Sequence, residues 1–185
     1  MQRNESLQVQ QVLDAMAASL AAFRSHPVID GWLASYQADL DRPLWRFKCL
    51  LLRGRSMSGK SQKGMSLFGI KQTICLDCQG CVSGLPDLRD FDRTRHRAIL
   101  FDEVDHRVVL ANKLLFQAGP MPLALSQSAC QQHVYRRWFF SIPMILCSNF
   151  FLLDESSDLS KEDSDWLRAN IVEVNIPDDQ TWFVS

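Results

Sequence analysis

One stretch of eight residues combines glycine, lysine and hydroxyl groups at a spacing that suits phosphate binding. Gly54-Arg55-Ser56-Met57-Ser58-Gly59-Lys60-Ser61, called the phosphate loop below, fits G-x-x-x-x-G-K-[ST] without a mismatch. Its glycines let the backbone curl so that successive amide groups point at phosphate oxygens. Lys60 would reach the terminal phosphates, and the Ser61 hydroxyl would bind Mg²⁺. The predicted nucleotide-binding residues are Gly54, Ser56, Met57, Ser58, Gly59, Lys60 and Ser61.

Two carboxylates end an apolar run about forty residues after Lys60. The run is Ala98-Ile99-Leu100-Phe101, and Asp102-Glu103 follows it. In an enzyme with a phosphate loop, one acidic group at such a position holds Mg²⁺, directly or through water, and the next orients the attacking water. We therefore assign Asp102 to the metal and Glu103 to the water.

A third apolar run ends in an amide side chain. Ile142-Pro143-Met144-Ile145-Leu146-Cys147-Ser148-Asn149 places Asn149 where open α/β sheets bind their ligands, at the carboxyl end of a strand. Its amide could bind the γ-phosphate or the attacking water. An ordinary turn-forming asparagine is the alternative, and the two preceding motifs favour the functional interpretation.

Three cysteines follow one another at two-residue gaps, at Cys75, Cys78 and Cys81. Such spacing suits Zn²⁺ or an iron–sulfur cluster, with His96 or Cys130 as a candidate fourth ligand. No second C-x-x-C pair exists in the chain. We therefore favour reduced thiols over a metal site. The other histidines, His26, His106 and His133, show no ligand spacing.

Strands and helices must position these groups, and the sequence alternates between them. Short apolar runs at residues 47–52, 73–76, 98–101 and 144–146 predict buried strands separated by helix-length segments. This order is typical of a largely parallel sheet covered on both faces. Apolar residues at helical spacing predict an N-terminal helix over Val9–Ala21 and a second one from Ile29 to Tyr36; residues 62–68 are compatible with a helix after the phosphate loop.

Composition limits the classes of protein to which this chain can belong. The chain has 185 residues, of which 46% are hydrophobic and 22% charged, with a net charge of -1. These values fit one globular domain and exclude collagen-like, disordered and uniformly basic chains. No stretch approaches the ~20 apolar residues that cross a membrane. The N-terminus lacks the pattern of a signal peptide, so we expect an intracellular protein, nuclear or cytoplasmic.

The charge is nevertheless unevenly distributed. Residues 46–97 contain eleven Lys/Arg and four Asp, whereas residues 150–185 contain two Lys/Arg and nine Asp/Glu. We interpret the acidic residues 154–165 as a solvated loop and the start of a helix. The predicted organisation is a helical segment at 1–43, a phosphate-loop core at 44–153, and an acidic segment at 154–185 that packs on the core.

In this order the motifs resemble those of superfamily 3 helicases, in particular the ATPase domain of the replication initiator (Rep) proteins of geminiviruses and related circular single-stranded DNA viruses. The resemblance covers most of residues 30–150. Besides the phosphate loop and Asp102-Glu103, it rests on Tyr36, Arg42-Pro43, Ser66-Leu67-Phe68-Gly69 and Pro143–Asn149. The Pro-led strand that ends in Cys-Ser-Asn is its most discriminating part.

The resemblance implies an AAA+-like α/β core that assembles into a ring, often a hexamer, and hydrolyses ATP with Mg²⁺ in clefts between subunits. It implies that single-stranded DNA passes a basic loop between the acidic strand and the asparagine strand. Lys113, His133, Arg136 and Arg137 are the candidate DNA contacts in that region. A core role for its aromatic residues, with the arginines extending over them, remains an equal alternative. An arginine that acts across the subunit boundary should follow Asn149, and we assign Arg168 to this role.

Two other functions remain open. A small-molecule kinase also uses a phosphate loop, but it would need an arginine-rich lid, and the C-terminal segment is acidic instead. The second alternative is an interaction module that binds a nucleotide without hydrolysing it. Against a loss of hydrolytic activity, the chain retains all five candidate residues: Lys60, Ser61, Asp102, Glu103 and Asn149. No His-hydrophobe-His pair or catalytic tyrosine segment precedes the phosphate loop, so we expect an ATPase module rather than a complete initiator.

Overall fold

The computed structural model describes residues 23–40, 46–126 and 134–183. In these ranges the helices are α1 (Pro27–Leu40), α2 (Lys60–Ser66), α3 (His106–Ala111), α4 (Lys113–Phe116) and α5 (Lys161–Asn170). A short 3₁₀ turn, Ile70–Gln72, precedes the second strand. The strands are β1 (Cys49–Arg53), β2 (Thr73–Asp77), β3 (Ala98–Asp102), β4 (Leu123–Ser126), β5 (Val134–Arg137), β6 (Met144–Ser148) and β7 (Ile171–Asn175).

Five of these strands form one sheet in the order β2-β3-β6-β1-β7. Every neighbouring pair in this sheet is parallel. Helices flank the sheet, which confirms the predicted α/β class and is compatible with the predicted three-layer core. Because all five strands run the same way, their carboxyl ends lie at one edge of the sheet.

The central strands are built from the apolar runs that the sequence analysis identified. Leu50, Leu51 and Leu52 of β1 have no accessible surface, and every residue of β6 is buried. Continuous burial of this kind is typical of a parallel strand covered on both faces. The four predicted strands are confirmed as β1, β2, β3 and β6.

The predicted helices within the described residues are also confirmed. α1 buries Ile29, Trp32 and Tyr36 on one face, and the Trp32 indole donates a hydrogen bond to the Lys48 carbonyl at 2.9 Å. In the acidic segment, Ser160 is the N-cap of α5, and its hydroxyl accepts a hydrogen bond from the Asp163 amide at 3.2 Å. The helix predicted over Val9–Ala21 lies outside the described residues.

Two features were missed from the sequence. β7 adds a parallel strand beside β1, and β4 pairs with β5 in a separate antiparallel hairpin. β7 falls inside the acidic segment 154–185, so part of that segment belongs to the sheet itself. The division of the chain at residues 43 and 153 stays a prediction.

The structure places no membrane-spanning helix within the described ranges, because none of their helices is both long and apolar enough.

Candidate active site at the carboxyl edge of the sheet

Register brings the ends of β1, β3 and β6 together. Arg53 at the end of β1 aligns with Ser148 at the end of β6, so the phosphate loop and Asn149 leave the sheet side by side. The Gly54 amide donates a hydrogen bond to the Ser148 carbonyl at 3.3 Å. On the other side of β6, the Val104 amide donates to the Cys147 carbonyl at 3.1 Å and fixes the loop that carries Glu103.

The phosphate loop adopts a curled backbone between β1 and α2. Met57 and Gly59 both have positive φ, 63° and 86°, which is the left-handed conformation that lets successive amides converge on an anion. Gly59 begins α2 as its N-cap. Ser58 and Lys60 are buried, whereas the Met57 side chain is 92% exposed. The loop is therefore folded in place, with one side chain projecting from its tip.

Lys60 connects the phosphate loop to the asparagine strand. Its ammonium group donates to the Gly54 and Arg55 carbonyls at 3.0 and 2.9 Å and to Asn149 Oδ1 at 2.7 Å. The side chain is only 5% exposed. A buried ammonium needs such partners, because burial without them is costly. Its position beside Asn149 puts a positive charge at the junction of the loop and β6.

The two remaining motif contacts join the acidic strand to this junction. Ser61 Oγ donates to Asp102 Oδ1 at 2.8 Å. Asn149 Nδ2 donates to the Glu103 carboxylate oxygens at 2.9 and 3.1 Å. A continuous chain of contacts therefore runs from Lys60 through Asn149 to Glu103, with Ser61 and Asp102 beside it.

This arrangement combines the groups that phosphate chemistry uses. A lysine, backbone amides and a helix N-terminus offer positive charge, and a hydroxyl with a carboxylate offers oxygen ligands for a hard cation. A cavity of about 510 Å³ lies beside the loop, bordered by Arg53, Gly54, Arg55, Ser56, Asn149, Phe150, Asn175 and Asp178. The structure thus brings together all of the predicted nucleotide-binding residues with Asp102, Glu103 and Asn149.

Two other predicted residues lie elsewhere and have partners of their own. Arg168, in the last turn of α5, forms an ion pair with Asp154 and is exposed. Lys113, at the start of α4, forms an ion pair with Asp163 at 2.8 Å and lies 5.2 Å from the Trp166 ring centre. Neither makes a described contact with the phosphate loop.

The predicted DNA contacts are divided by the structure. Arg136 and Arg137 lie on β5, where Arg137 donates to the Arg89 carbonyl at 2.9 Å. His133 lies outside the described residues. The aromatic residues around them differ in burial, since Phe139 is buried and Trp138 is 52% exposed. Of the predicted contacts that the structure describes, Arg136 and Arg137 share a surface and Lys113 lies apart from it.

That surface is a basic cleft, which sequence reasoning had only partly anticipated. Its volume is about 610 Å³, and its lining is Arg89, Asp90, Phe91, Asp92, Arg93, Arg95, Arg136, Arg137 and Trp138. The Arg93 guanidinium lies 5.3 Å from the Trp138 ring centre. Five arginines face two aspartates here, so the cleft is strongly positive. Its second wall, residues 89–95, belongs to the loop between β2 and β3; the charge excess at 46–97 was its signal.

The cysteines form no metal site in the part of the chain that the structure covers. No group of three or more His, Cys, Asp or Glu side chains there could hold a metal ion. Desolvation, aided by the Asp102 and Asp77 carboxylates, raises the pKa of the exposed Cys75 thiol to about 11. Burial raises the pKa of Cys78 to about 12. These shifts favour protonated thiols when no metal is bound. The choice of reduced thiols over a metal site stays a prediction, and Cys130 lies outside the described residues.

The chain matches no protein-family model, and no curated protein is significantly similar to it.

Proposed function

We propose that this chain binds a nucleoside triphosphate with Mg²⁺ at the phosphate loop and hydrolyses it. The observation that carries the proposal is the convergence of Lys60, Ser61, Asp102, Glu103 and Asn149 through hydrogen bonds of 2.7 to 3.1 Å. Three separate strands supply these groups to one edge of the sheet. Each of these residues also belongs to a sequence motif that suits phosphate chemistry.

The residues present fit a bound magnesium ion. Ser61 and Asp102 offer a hydroxyl and a carboxylate oxygen that lie 2.8 Å apart, and Mg²⁺ prefers oxygen ligands. These two residues would hold the metal, directly or through water. When bound, the ion supplies charge neutralisation for the terminal phosphates.

Side chains of the protein would bind the phosphates and orient the attacking water. Lys60 would exchange its Asn149 and carbonyl partners for phosphate oxygens, so its charge stays compensated when the nucleotide enters. Glu103 would accept a proton from the attacking water or orient that water. Asn149, which bonds Glu103, would fix the carboxylate relative to the γ-phosphate.

The partner that we propose is single-stranded DNA, bound by a ring of subunits as in the superfamily 3 helicases that the sequence resembles. The basic cleft supports this choice, because arginines can contact phosphates while an exposed tryptophan stacks with a base. Arg136 and Arg137 belong to this cleft. Lys113, His133 and the trans role of Arg168 remain proposals that rest on the resemblance.

The test is Mg²⁺-dependent ATP hydrolysis by matched aspartate variants. Asp77 and Asp102 are register neighbours at the ends of β2 and β3, but only Asp102 contacts Ser61. We expect Asp102→Asn to lower kcat/KM by about 100-fold or more and to raise the Mg²⁺ requirement. Asp77→Asn should hydrolyse ATP at the wild-type rate. Equal activity of the two variants would refute the assigned metal role, and no activity in the wild-type protein would refute the proposed reaction.

A further inference from the structure

The two ends of the described chain meet beside the phosphate loop. Phe23 and Phe183 form an isolated antiparallel bridge, and the Arg24 amide donates to the Trp182 carbonyl at 3.1 Å. The rings of Phe23 and Phe183 lie 5.4 Å apart. We call Phe23, Arg24, Trp182 and Phe183 the terminal clasp.

The terminal clasp is attached directly to the loop and to α2. The Trp182 amide donates to the Ser58 carbonyl at 2.9 Å. The Phe183 ring lies against Gly59, where an added Cβ would come within 2.8 Å of a ring carbon. Lys63, one turn into α2, donates to the Arg24 carbonyl at 2.9 Å. Any ligand seated on the loop would therefore have the clasp as a neighbour.

The clasp lies on the side of the loop away from the catalytic carboxylates. Its C-terminal half follows β7, the strand that flanks β1 at one edge, whereas Asp102 ends β3, two strands away from β1 on the other side. A nucleotide whose γ-phosphate lies between Lys60 and Glu103 has its nucleoside at the opposite end of the phosphate chain. That end would emerge toward the clasp.

Two features point to a ligand, an exposed aromatic ring of the clasp and unpaired polar atoms where the clasp meets the phosphate loop. Phe183 is 43% exposed although its ring packs on the loop, so one part of an aromatic surface remains open to solvent. Ser58 Oγ and Trp182 Nε1 are buried without a hydrogen-bond partner among the described residues. Ser58 and Trp182 are only 1% and 3% exposed, and buried polar atoms are normally paired.

We infer that the terminal clasp is the nucleobase subsite of the phosphate-loop site, in which the base stacks on Phe183. The inference rests on the proposed function, since it assumes a nucleotide on the loop. An aromatic face accepts every base, and its attraction grows with the area of the base. The site therefore selects purine over pyrimidine nucleotides and distinguishes ATP from GTP only weakly.

The experiment compares Mg²⁺ complexes of ATP, GTP, UTP and inorganic tripolyphosphate by calorimetry. Wild type should bind ATP and GTP with similar affinity and more tightly than UTP or tripolyphosphate. Phe183→Ala should weaken ATP binding by about 5- to 100-fold and leave tripolyphosphate binding unchanged. Phe183→Tyr keeps the aromatic face and should bind ATP like the wild type, with thermal melting showing that each variant folds.

Phe150→Ala tests the alternative that the base stacks on Phe150 and not on Phe183. Phe150 is 88% exposed and borders the cavity beside the phosphate loop, whose lining includes no residue of the clasp. Loss of ATP affinity in Phe150→Ala but not in Phe183→Ala would overturn the inference. So would tighter ATP binding by Phe183→Ala, or an equal loss for ATP and tripolyphosphate.

Different binding results would refute the proposed function and the proposed base subsite. A wild-type protein that binds tripolyphosphate and ATP equally has a phosphate site without a base subsite, which overturns the inference and leaves the proposed function standing. A wild-type protein that binds neither compound overturns both.

Discussion

At the scale of single residues, Glu103 combines a strained backbone with a position at the centre of the proposed chemistry. Its φ is 51°, in the left-handed region that costs a non-glycine residue roughly 1–2 kcal/mol. The conformation directs the carboxylate to Asn149 rather than onward along the strand direction. Such strain at a site is consistent with a residue kept for function rather than for stability.

Replacement of Glu103 should therefore separate function from stability. Asparagine tolerates the left-handed region better than glutamate, so Glu103→Asn should unfold with a free energy no lower than that of the wild type. The same variant, and Glu103→Gln, should lower kcat for ATP hydrolysis by about 100-fold or more while nucleotide affinity changes little. The measurements are chemical denaturation, phosphate release and calorimetry. Hydrolysis at the wild-type rate by both variants would remove Glu103 from the mechanism.

Cys75 provides a test of the electrostatics around Asp102. The pKa of its thiol is raised to about 11 by desolvation and by the nearby carboxylates, so its thiolate fraction at pH 7.5 is far below that of an ordinary cysteine. We expect iodoacetamide to label Cys75 roughly 100-fold more slowly than a cysteine-containing peptide. The rate should keep rising above pH 9, as read by peptide mass spectrometry. A rate that levels off at pH 9 would show that the thiol titrates normally.

At the scale of elements, the close approach of α2 to the sheet positions the phosphate loop. An added Cβ at Gly64 would lie 2.6 Å from Leu100 Cδ1 and 3.1 Å from Ile145 Cγ2. Both of these side chains are fully buried. The absence of a side chain at Gly64 thus lets the helix lie directly on β3, which ends at Asp102, and on β6, which Asn149 follows.

Two glycine-to-alanine substitutions should have opposite effects on stability. Gly64→Ala should lower the free energy of unfolding by about 1–2 kcal/mol, because crowding of the core outweighs the gain in helix propensity. Gly31 in α1 has no atom within 4 Å of an added Cβ, so Gly31→Ala should raise it by about 0.5–1 kcal/mol. Urea denaturation measures both. A Gly64→Ala protein as stable as Gly31→Ala would contradict the packing described for α2.

The elements that could be predicted from the sequence are those whose signal is local. β1, β3 and β6 are buried on both faces and therefore appear as continuous apolar runs. β5 has alternating exposure and two arginines, and β7 contains Glu173 and follows an acidic helix. Pairing with a neighbouring strand stabilises β5 and β7 despite their charged residues. A short sequence pattern carries no information about such pairing.

At the scale of the whole molecule, the sequence likewise predicts only those parts of the candidate site that have a local signal. The phosphate loop, Asp102-Glu103 and Asn149 could be identified because each has a motif beside a strong strand. The terminal clasp could not, because Phe23 and Phe183 are about 160 residues apart and meet only in the folded chain. The near-neutral total charge likewise conceals a basic cleft, since five of its lining residues are arginines.

The most direct test of the account is phosphate release from ATP with and without single-stranded DNA, in the wild type, Lys60→Ala and Lys161→Ala. Lys60 contacts Asn149, whereas Lys161 is exposed at the start of α5. We predict Mg²⁺-dependent release that single-stranded DNA accelerates, at equal rates in the wild type and Lys161→Ala, and a loss of about 100-fold or more in Lys60→Ala. Wild-type release no faster than that of Lys60→Ala, under both conditions, would contradict nucleotide hydrolysis at the phosphate loop.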